Sequence, residues 1–404
     1  MTHACRHCGS ALEHPVIDLG HQPPSNAYLT TEQLLAPEIN YPLQLYVCTS
    51  CWLVQLPAHA AAEELFTADY AYFSSTSSSW CSHAERFVAE AVERLGLGVD
   101  SKVVELASND GYLLQYVQQR GIPCLGIEPT HATAKAARDK GIETIERFFC
   151  VALAVELEPA DLVVANNVLA HVPDINDFLT GISRLLKPQG RASIEFPHLL
   201  RLLVGNQFDT IYHEHYSYLS LRVVQRIAAA AGLEVVDIEQ LPTHGGSLRV
   251  WLAHQGAAEV STAIEEVLTA EFAASLETHA AYEGFQQRAE VAKYALLEYL
   301  MKSKLEGRRI LGYGAAAKGN TLLNYAGIHS DLLQAVADRA LSKQGKFLPG
   351  SHIPVISPEQ LANERFDALL VLPWNLIDEV KKQLPDKQLV TAIPELRNWR
   401  VLGH

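Results

Sequence analysis

The stretch KVVELASNDGYLLQYVQQRG, residues 102–121, decides the fold. Lys102 to Leu106 is a short, largely apolar run. A turn of small and polar residues follows, Ala107 to Gly111. Beyond it Leu113, Leu114 and Val117 fall on one face of a helix. Strand, glycine turn and helix, in that order, form the unit at which an open α/β sheet holds a cofactor. The turn Glu105-Leu106-Ala107-Ser108-Asn109-Asp110-Gly111 has one glycine and not the three of GxGxxG, so a pyrophosphate cradle is poorly supported.

The pattern continues on the C-terminal side. PCLGIEPT (123–130) reads as a second strand ending at Glu128 and Pro129. Glu128 lies 17 residues beyond Gly111, where a carboxylate accepts hydrogen bonds from both ribose hydroxyls. DLVVANNVLAHVPD (161–174) supplies a strand and a loop with Asn166, Asn167 and His171. LLKPQGRASIEFPHL (185–199) supplies a turn and a strand through Glu195. This alternation predicts an α/β fold with a parallel, doubly wound sheet. The shortage of glycines favours S-adenosylmethionine (SAM) over a dinucleotide.

Four of the seven cysteines form two pairs, CRHC (Cys5, Cys8) and CTSC (Cys48, Cys51). Two CxxC knuckles supply four thiolates to a tetrahedral Zn²⁺ and leave no position open, which predicts a structural zinc site. The alternative is redox or unpaired cysteines. Cys81, Cys124 and Cys150 stand alone and read as buried thiols. His3 and His7 read as surface residues beside a completed shell.

The net charge of -14 argues against nucleic acid as a partner, because that affinity comes largely from Lys and Arg. The N-terminus lacks the basic and apolar regions of a signal peptide. No apolar run reaches the roughly 18 to 20 residues that span a bilayer. The expectation is a cytoplasmic protein, monomer or homodimer, with no membrane partner.

FDTIYHEHYSYLS (208–220) packs ligand-type residues before a helix capped by Ser220 and closed at Gly232. It reads as a loop on the C-terminal side of the sheet, where sites are built. HxH can chelate a metal, or the cluster can be structural, or it can be an acid/base centre. Imidazole titrates near neutral pH and can take and return a proton. A phenol can donate to a developing oxyanion. On an extended chain His213 and His215 share one face, with Tyr212, Glu214 and Tyr216 on the other.

The back of the chain, Ser261 to Arg309, is mostly helical and reads as a connector that could also dimerise. RRILGYGAAAKGNTLLNYAGI (308–328) then opens a second strand–turn–helix unit. Its turn N–H groups and Lys318 could hold an anion at a helix start. Arg339, Lys343 and Lys346 add local positive charge, although Lys343 and Lys346 read equally as solvated surface cations. The expected divisions are a zinc-binding module (1–70), a SAM domain (71–260), a helical connector (261–307) and a second Rossmann-like domain (308–404).

With these motifs in view, the middle of the chain resembles a class I SAM methyltransferase. The whole chain is similar to the C-methyltransferases of unusual deoxysugar pathways, such as those making tetronitrose or mycarose. The resemblance runs through the four-cysteine front, VVELASNDGYLL, GIEPT, NNVLAHVPD, FDTIYHEHYSYLS, PTHGGSLRV and GYGAAAKGNTLLNYAGI. It implies that a nucleotide-linked 4-keto sugar, of the dTDP type, loses its C-3′ proton and that the enolate takes the methyl of SAM. It further implies His215 as the base, with Tyr212 and Glu214 orienting and stabilising the enolate, and His171 and Tyr72 in the pocket (Tyr70 being a close rival of Tyr72). Glu105, Asn109, Gly111, Glu128, Pro129, Asn166 and Asn167 are the expected cofactor residues. His213, Tyr216, Glu195, Lys318 and Arg339 are the expected sugar-binding residues. The resemblance allows an acidic residue at the position of His213, so that position bears on substrate choice. A methyltransferase acting on nitrogen, oxygen or another carbonyl carbon, or a non-enzymatic binding protein on the same scaffold, are the competing expectations.

Overall fold

The computed structural model describes residues 3–60, 62–65 and 73–399. Period-2 patterning makes the first sheet. β1 (His14–Gln22), β2 (Tyr41–Val47) and β3 (Val54–Gln55) pair antiparallel. In β2, Leu43, Leu45 and Val47 are buried while the residues between them are half-exposed.

Helix α1 (Ser78–Leu95) leads into the central sheet. Its start is capped by Ser77, whose hydroxyl accepts the Trp80 N–H, and Gly96 closes it in the left-handed conformation. The sheet contains β4 (Val103–Leu106), β5 (Cys124–Ile127), β6 (Thr144–Ile145), β7 (Ala160–Asn166) and β8 (Leu186–Pro197). β9 (Ser217–Tyr218) leaves this sheet and pairs with β3 of the first. β10 (Leu233–Leu241) and β11 (Ser247–His254) return to it. Among the described residues the order is β10-β11-β8-β7-β4-β5-β6. The run β8 to β6 is parallel, as expected from strand–helix alternation, whereas β11 pairs antiparallel with both β8 and β10. β4 has β5 on one side and β7 on the other, so the order reverses at the glycine turn, where such sheets bind ligands. Gly111 sits there at φ +75°, and a Cβ would lie 2.4 Å from Ile142 Cδ1. Only glycine fits.

The C-terminal sheet has the order β14-β13-β12-β15-β16-β17 among the described residues. These strands are β12 (Ile310–Tyr313), β13 (Val336–Ala337), β14 (Val355–Ile356), β15 (Ala368–Val371), β16 (Leu389–Thr391) and β17 (Arg397–Trp399). All neighbours are parallel except β16 and β17, which makes this the second Rossmann-like unit.

Helices α2 (Leu221–Ala230), α3 (Ala263–Ala273), α4 (Phe285–Leu305) and α5 (Ala317–Ala326) fix how these sheets meet. The segment read as a connector does more than connect. Phe285, Ala289, Ala292, Leu296 and Leu300 form a buried stripe at helical spacing on α4. That stripe joins Leu43 and Leu45 of the first sheet, Phe208 and Ile211 of the histidine loop, and Leu322 and Val336 of the last unit in one hydrophobic core. Cys81, Cys124 and Cys150 are half-buried free thiols, not the fully buried ones expected. No helix among the described residues is long and apolar enough to cross a membrane.

Glu271 on α3 is buried and locks α2 in place. Its carboxylate accepts the N–H groups of Leu221 (2.6 Å) and Arg222 (3.1 Å) and the Nε2–H of His198 (2.7 Å). Removing it leaves two helix-start donors and a buried imidazole unpaired. Glu271→Ala is therefore expected to lower unfolding free energy by about 3 kcal/mol in urea titrations.

Candidate active site

The cofactor end is built by the strand termini. Glu105 is the penultimate residue of β4, with its side chain buried and Oε2 unpartnered. Burial, then the charges of Glu128 and Asp110, push its carboxyl well above the usual carboxylate range. Glu128 follows β5 and accepts N–H bonds from Asn109 and Thr130, both 2.9 Å. Burial raises its pKa, and these N–H groups pull it back. They set the direction of the carboxylate and leave lone pairs over. Asn109 is left-handed (φ 52°), and its Oδ1 accepts the Ser74 N–H at 2.8 Å, which ties the segment before α1 to the glycine turn. Pro129 is half-buried beside Glu128. Asn166 and Asn167, at the end of β7, have buried amide atoms with no hydrogen-bond partner. Unsatisfied buried polar atoms are rare and mark a place where a ligand completes the bonding. The orphaned carboxyl of Glu105 and the two amides fit SAM, which presents an ammonium, ribose hydroxyls and an adenine edge.

The histidine loop is turned, not extended. The His215 N–H donates to the Tyr212 carbonyl at 2.9 Å, which places His213 and Glu214 at the corner of a turn. The shared face expected for His213 and His215 is thereby corrected. His213 packs edge-on against Tyr41, and its Nε2 lies 3.3 Å from the Tyr41 carbonyl. Glu214 is buried, with Oε1 accepting from the Asn26 N–H (3.2 Å) and side-chain amide (3.0 Å). Tyr216 lies beneath the Arg6 guanidinium, 5.1 Å from the ring centre. All three side chains face the N-terminal module.

His215 faces the other way. Its ring is 3.9 Å from that of Tyr212 and 4.5 Å from that of His171, centre to centre. Nδ1 lies 2.9 Å from the Thr210 carbonyl. A carbonyl only accepts, so the hydrogen is on Nδ1 and Nε2 keeps its lone pair. No described group hydrogen-bonds that Nε2. Burial, then the neighbouring His171, hold the imidazole well below its ordinary pKa, so it is neutral. His171 donates Nδ1–H to the Glu214 carbonyl at 2.7 Å, and burial lowers its pKa to about 4.

The last unit closes the site. Lys318, in the first turn of α5, donates to Asn375 Oδ1 at 2.8 Å and lies 4.8 Å from the centre of the Trp374 ring. Trp374 donates Nε1–H to Asp209 at 2.7 Å. Burial pushes Asp209 up to about 6 against the pull of Lys318, and burial lowers Lys318 against the pull of Asp209. Thr321 donates to the Ile211 carbonyl at 2.8 Å, so α5 is bonded to the histidine loop itself.

Other expected residues fall elsewhere. Glu195 is fully buried and bonded within the protein by His83 (2.9 Å), Arg249 (3.0 Å) and Thr243 (2.9 Å). Against burial, which raises it, these partners hold its pKa low. Arg339 is exposed. The turn before α5 is not an open anion cradle, because Asp338 takes the Ala315 N–H at 2.7 Å. Lys343 is not a solvated cation but donates to the Ala315 carbonyl at 2.8 Å. Tyr72 and Tyr70 lie outside the described residues. Sequence reasoning missed Trp80, His83 and Trp374, none of which carries a motif, and passed over Asp209 inside FDTIYHEHYSYLS.

At the front, the sulfurs of Cys5, Cys8, Cys48 and Cys51 lie within 4.8 Å of one another. Cys5–Cys51 and Cys8–Cys48 are each 3.5 Å apart, near the ~3.8 Å edge of a tetrahedral ZnS₄ centre. The Gln55 amide donates to Cys5 Sγ at 3.1 Å, as suits a thiolate. The donor set fits zinc.

A switch-point sheet with an orphaned acidic turn and a second Rossmann-like unit over a histidine loop defines a SAM-dependent methyltransferase. The chain belongs to the C-methyltransferase family. Family models match residues 5–66 ("Putative zinc binding domain"), 80–238 ("Methyltransferase domain") and 242–394 ("C-methyltransferase C-terminal domain"). It is 36% identical over 403 residues to the C-methyltransferase NovU of Streptomyces niveus, covering 97% of this chain and 96% of that protein. Among solved structures, the PH0226 protein of Pyrococcus horikoshii OT3 matches with 16% identity and a TM-score of 0.39, over 46% of this chain and 95% of that one. A SAM-dependent methyltransferase of Clostridium acetobutylicum ATCC 824 matches with 12% identity and a TM-score of 0.36, over 43% and 91%.

Because the knuckles carry Arg6, which donates to the Pro173 carbonyl at 2.9 Å beside the His171 loop, zinc loss should reach the site. Cys5→Ser is expected to lower zinc content and thermal stability together, read by metal analysis and melting curves. A stable, zinc-free and active variant would contradict a structural zinc.

Proposed function

We propose that the protein is a SAM-dependent C-methyltransferase that deprotonates C-3′ of a nucleotide-linked 4-keto sugar, of the dTDP type, and methylates the enolate. The observation that carries this reading is the His215 imidazole, neutral, with its Nε2 lone pair open and its tautomer set by the Thr210 carbonyl. A C–H beside a ketone is acidic enough for a positioned imidazole to remove, provided the oxyanion is stabilised.

In this mechanism SAM supplies an electrophilic methyl group. The chain does the rest. Nε2 of His215 takes the C-3′ proton, and the electron pair moves into the C-3′–C-4′ bond as charge moves to O-4′. Tyr212, packed on the base, and the Lys318 ammonium provide positive potential for that oxygen. His171 supports the face of His215. Glu214 acts at a distance, by anchoring the turn on Asn26. Glu105 and Glu128 hold the ammonium and ribose of SAM, and Asn166 and Asn167 complete the cofactor wall. Residues 308–404 help hold the nucleotide-sugar against α5, residues 1–70 brace the loop, and residues 261–307 join the parts. Reduced thiols in the four-cysteine centre suit a cytoplasmic setting.

With SAM and a dTDP-linked 4-keto-6-deoxyhexose, the product should carry a new C-3′ methyl by NMR. Methyl on oxygen or nitrogen, or no transfer to any of a panel of nucleotide-linked keto sugars, would contradict the assignment. His215→Ala should lose kcat by roughly 10²- to 10⁴-fold with SAM affinity unchanged by calorimetry. Because the folded pKa of His215 is depressed, the base is still unprotonated at pH 6.5, and the acid limb of kcat/KM should lie below that value.

A further inference from the structure

The turn Pro242–Gly246 has no part in the roles above. It is held on several sides. Thr243 donates to Glu195, the Gly245 carbonyl accepts from Gln207 Nε2 at 2.9 Å, and a Cβ on Gly245 would lie 2.5 Å from Trp374 Cη2. Between these anchors His244 is left-handed, φ 54° and ψ 18°. That conformation is unfavourable for a non-glycine residue and persists where the surroundings impose it, often at functional sites.

The ring of His244 meets Trp80 edge-on at 5.3 Å. Trp80 stacks on Tyr112, which follows Gly111 in the cofactor turn. The next residue, Gly245, packs on Trp374, whose ring carries Lys318. His244 thus stands where the cofactor wall meets the wall of the last unit. No described group hydrogen-bonds either of its ring nitrogens. Burial, then Lys318, push its pKa down to about 4, so the ring is neutral, with one N–H and one lone pair to offer.

We propose that His244 is a catalytic residue that donates its N–H to the acceptor's carbonyl oxygen while His215 removes the proton. The inference rests on the enolate reading above. As the C-3′–H bond breaks, its pair forms the C-3′–C-4′ double bond and the carbonyl pair moves onto O-4′. His244 hydrogen-bonds that oxygen without releasing its proton. When C-3′ takes the methyl, the carbonyl re-forms and the leaving sulfur keeps the C–S pair.

The test uses His244→Gly, which keeps the positive φ, and His244→Asn, which tolerates it. Each is compared with the wild type for exchange of the C-3′ hydrogen of a dTDP-linked 4-keto-6-deoxyhexose in D₂O without SAM. Exchange and methyl transfer should both fall about 10²- to 10³-fold, the scale for losing one oxyanion donor. SAM affinity should hold, and added imidazole should restore exchange in His244→Gly. Exchange at the wild-type rate in both variants, or a loss that imidazole leaves unrestored, overturns the inference alone. Wild-type enzyme that exchanges no hydrogen overturns the enolate reading and this inference with it.

Discussion

The site depends on one turn. The His215 N–H reaches back to the Tyr212 carbonyl, and in doing so it separates neighbours that an extended chain would alternate. Glu214 and His213 swing to the N-terminal module, while His215 swings to His171. The turn is braced from both sides. β9 continues it into the first sheet, and Thr321 of α5 bonds Ile211 just ahead of it. The histidine loop of the central unit is therefore shaped by the two units around it. This gives a physical reason for one chain to carry all three, since a base must be held within a fraction of an ångström to act.

Several buried polar groups are left without a partner. A folded domain leaves few buried polar atoms unpaired, yet Glu105, Asn166, Asn167 and Asp209 each have one or more. All of them sit at strand ends or loops on the side of the sheet where SAM and the acceptor would enter. Other buried carboxylates are bonded within the protein, as Glu195 is by Arg249 and His83 and Glu271 by the start of α2.

Much of this was legible in the sequence. The strand–turn–helix units around Gly111 and Gly314, the carboxylate at Glu128 and the paired cysteines all follow from local rules of patterning and spacing. What was not legible depends on distant partners. The loop reads as extended until Asn26, some 190 residues away, draws Glu214 aside. Glu195 reads as a ligand group until Arg249 crosses from the antiparallel strand β11, which local alternation does not reveal. His244 sits in a plain THGG turn, and only its left-handed backbone and the rings of Trp80 and Trp374 on either side make it conspicuous.

The central claim is that His215 Nε2 is the base. A structure of the protein with S-adenosylhomocysteine and a dTDP-linked 4-keto-6-deoxyhexose tests it most directly. The account predicts His215 Nε2 within about 3.5 Å of C-3′. A sugar whose C-3′ faces another group, or which binds away from the turn at Tyr212–His215, would contradict it.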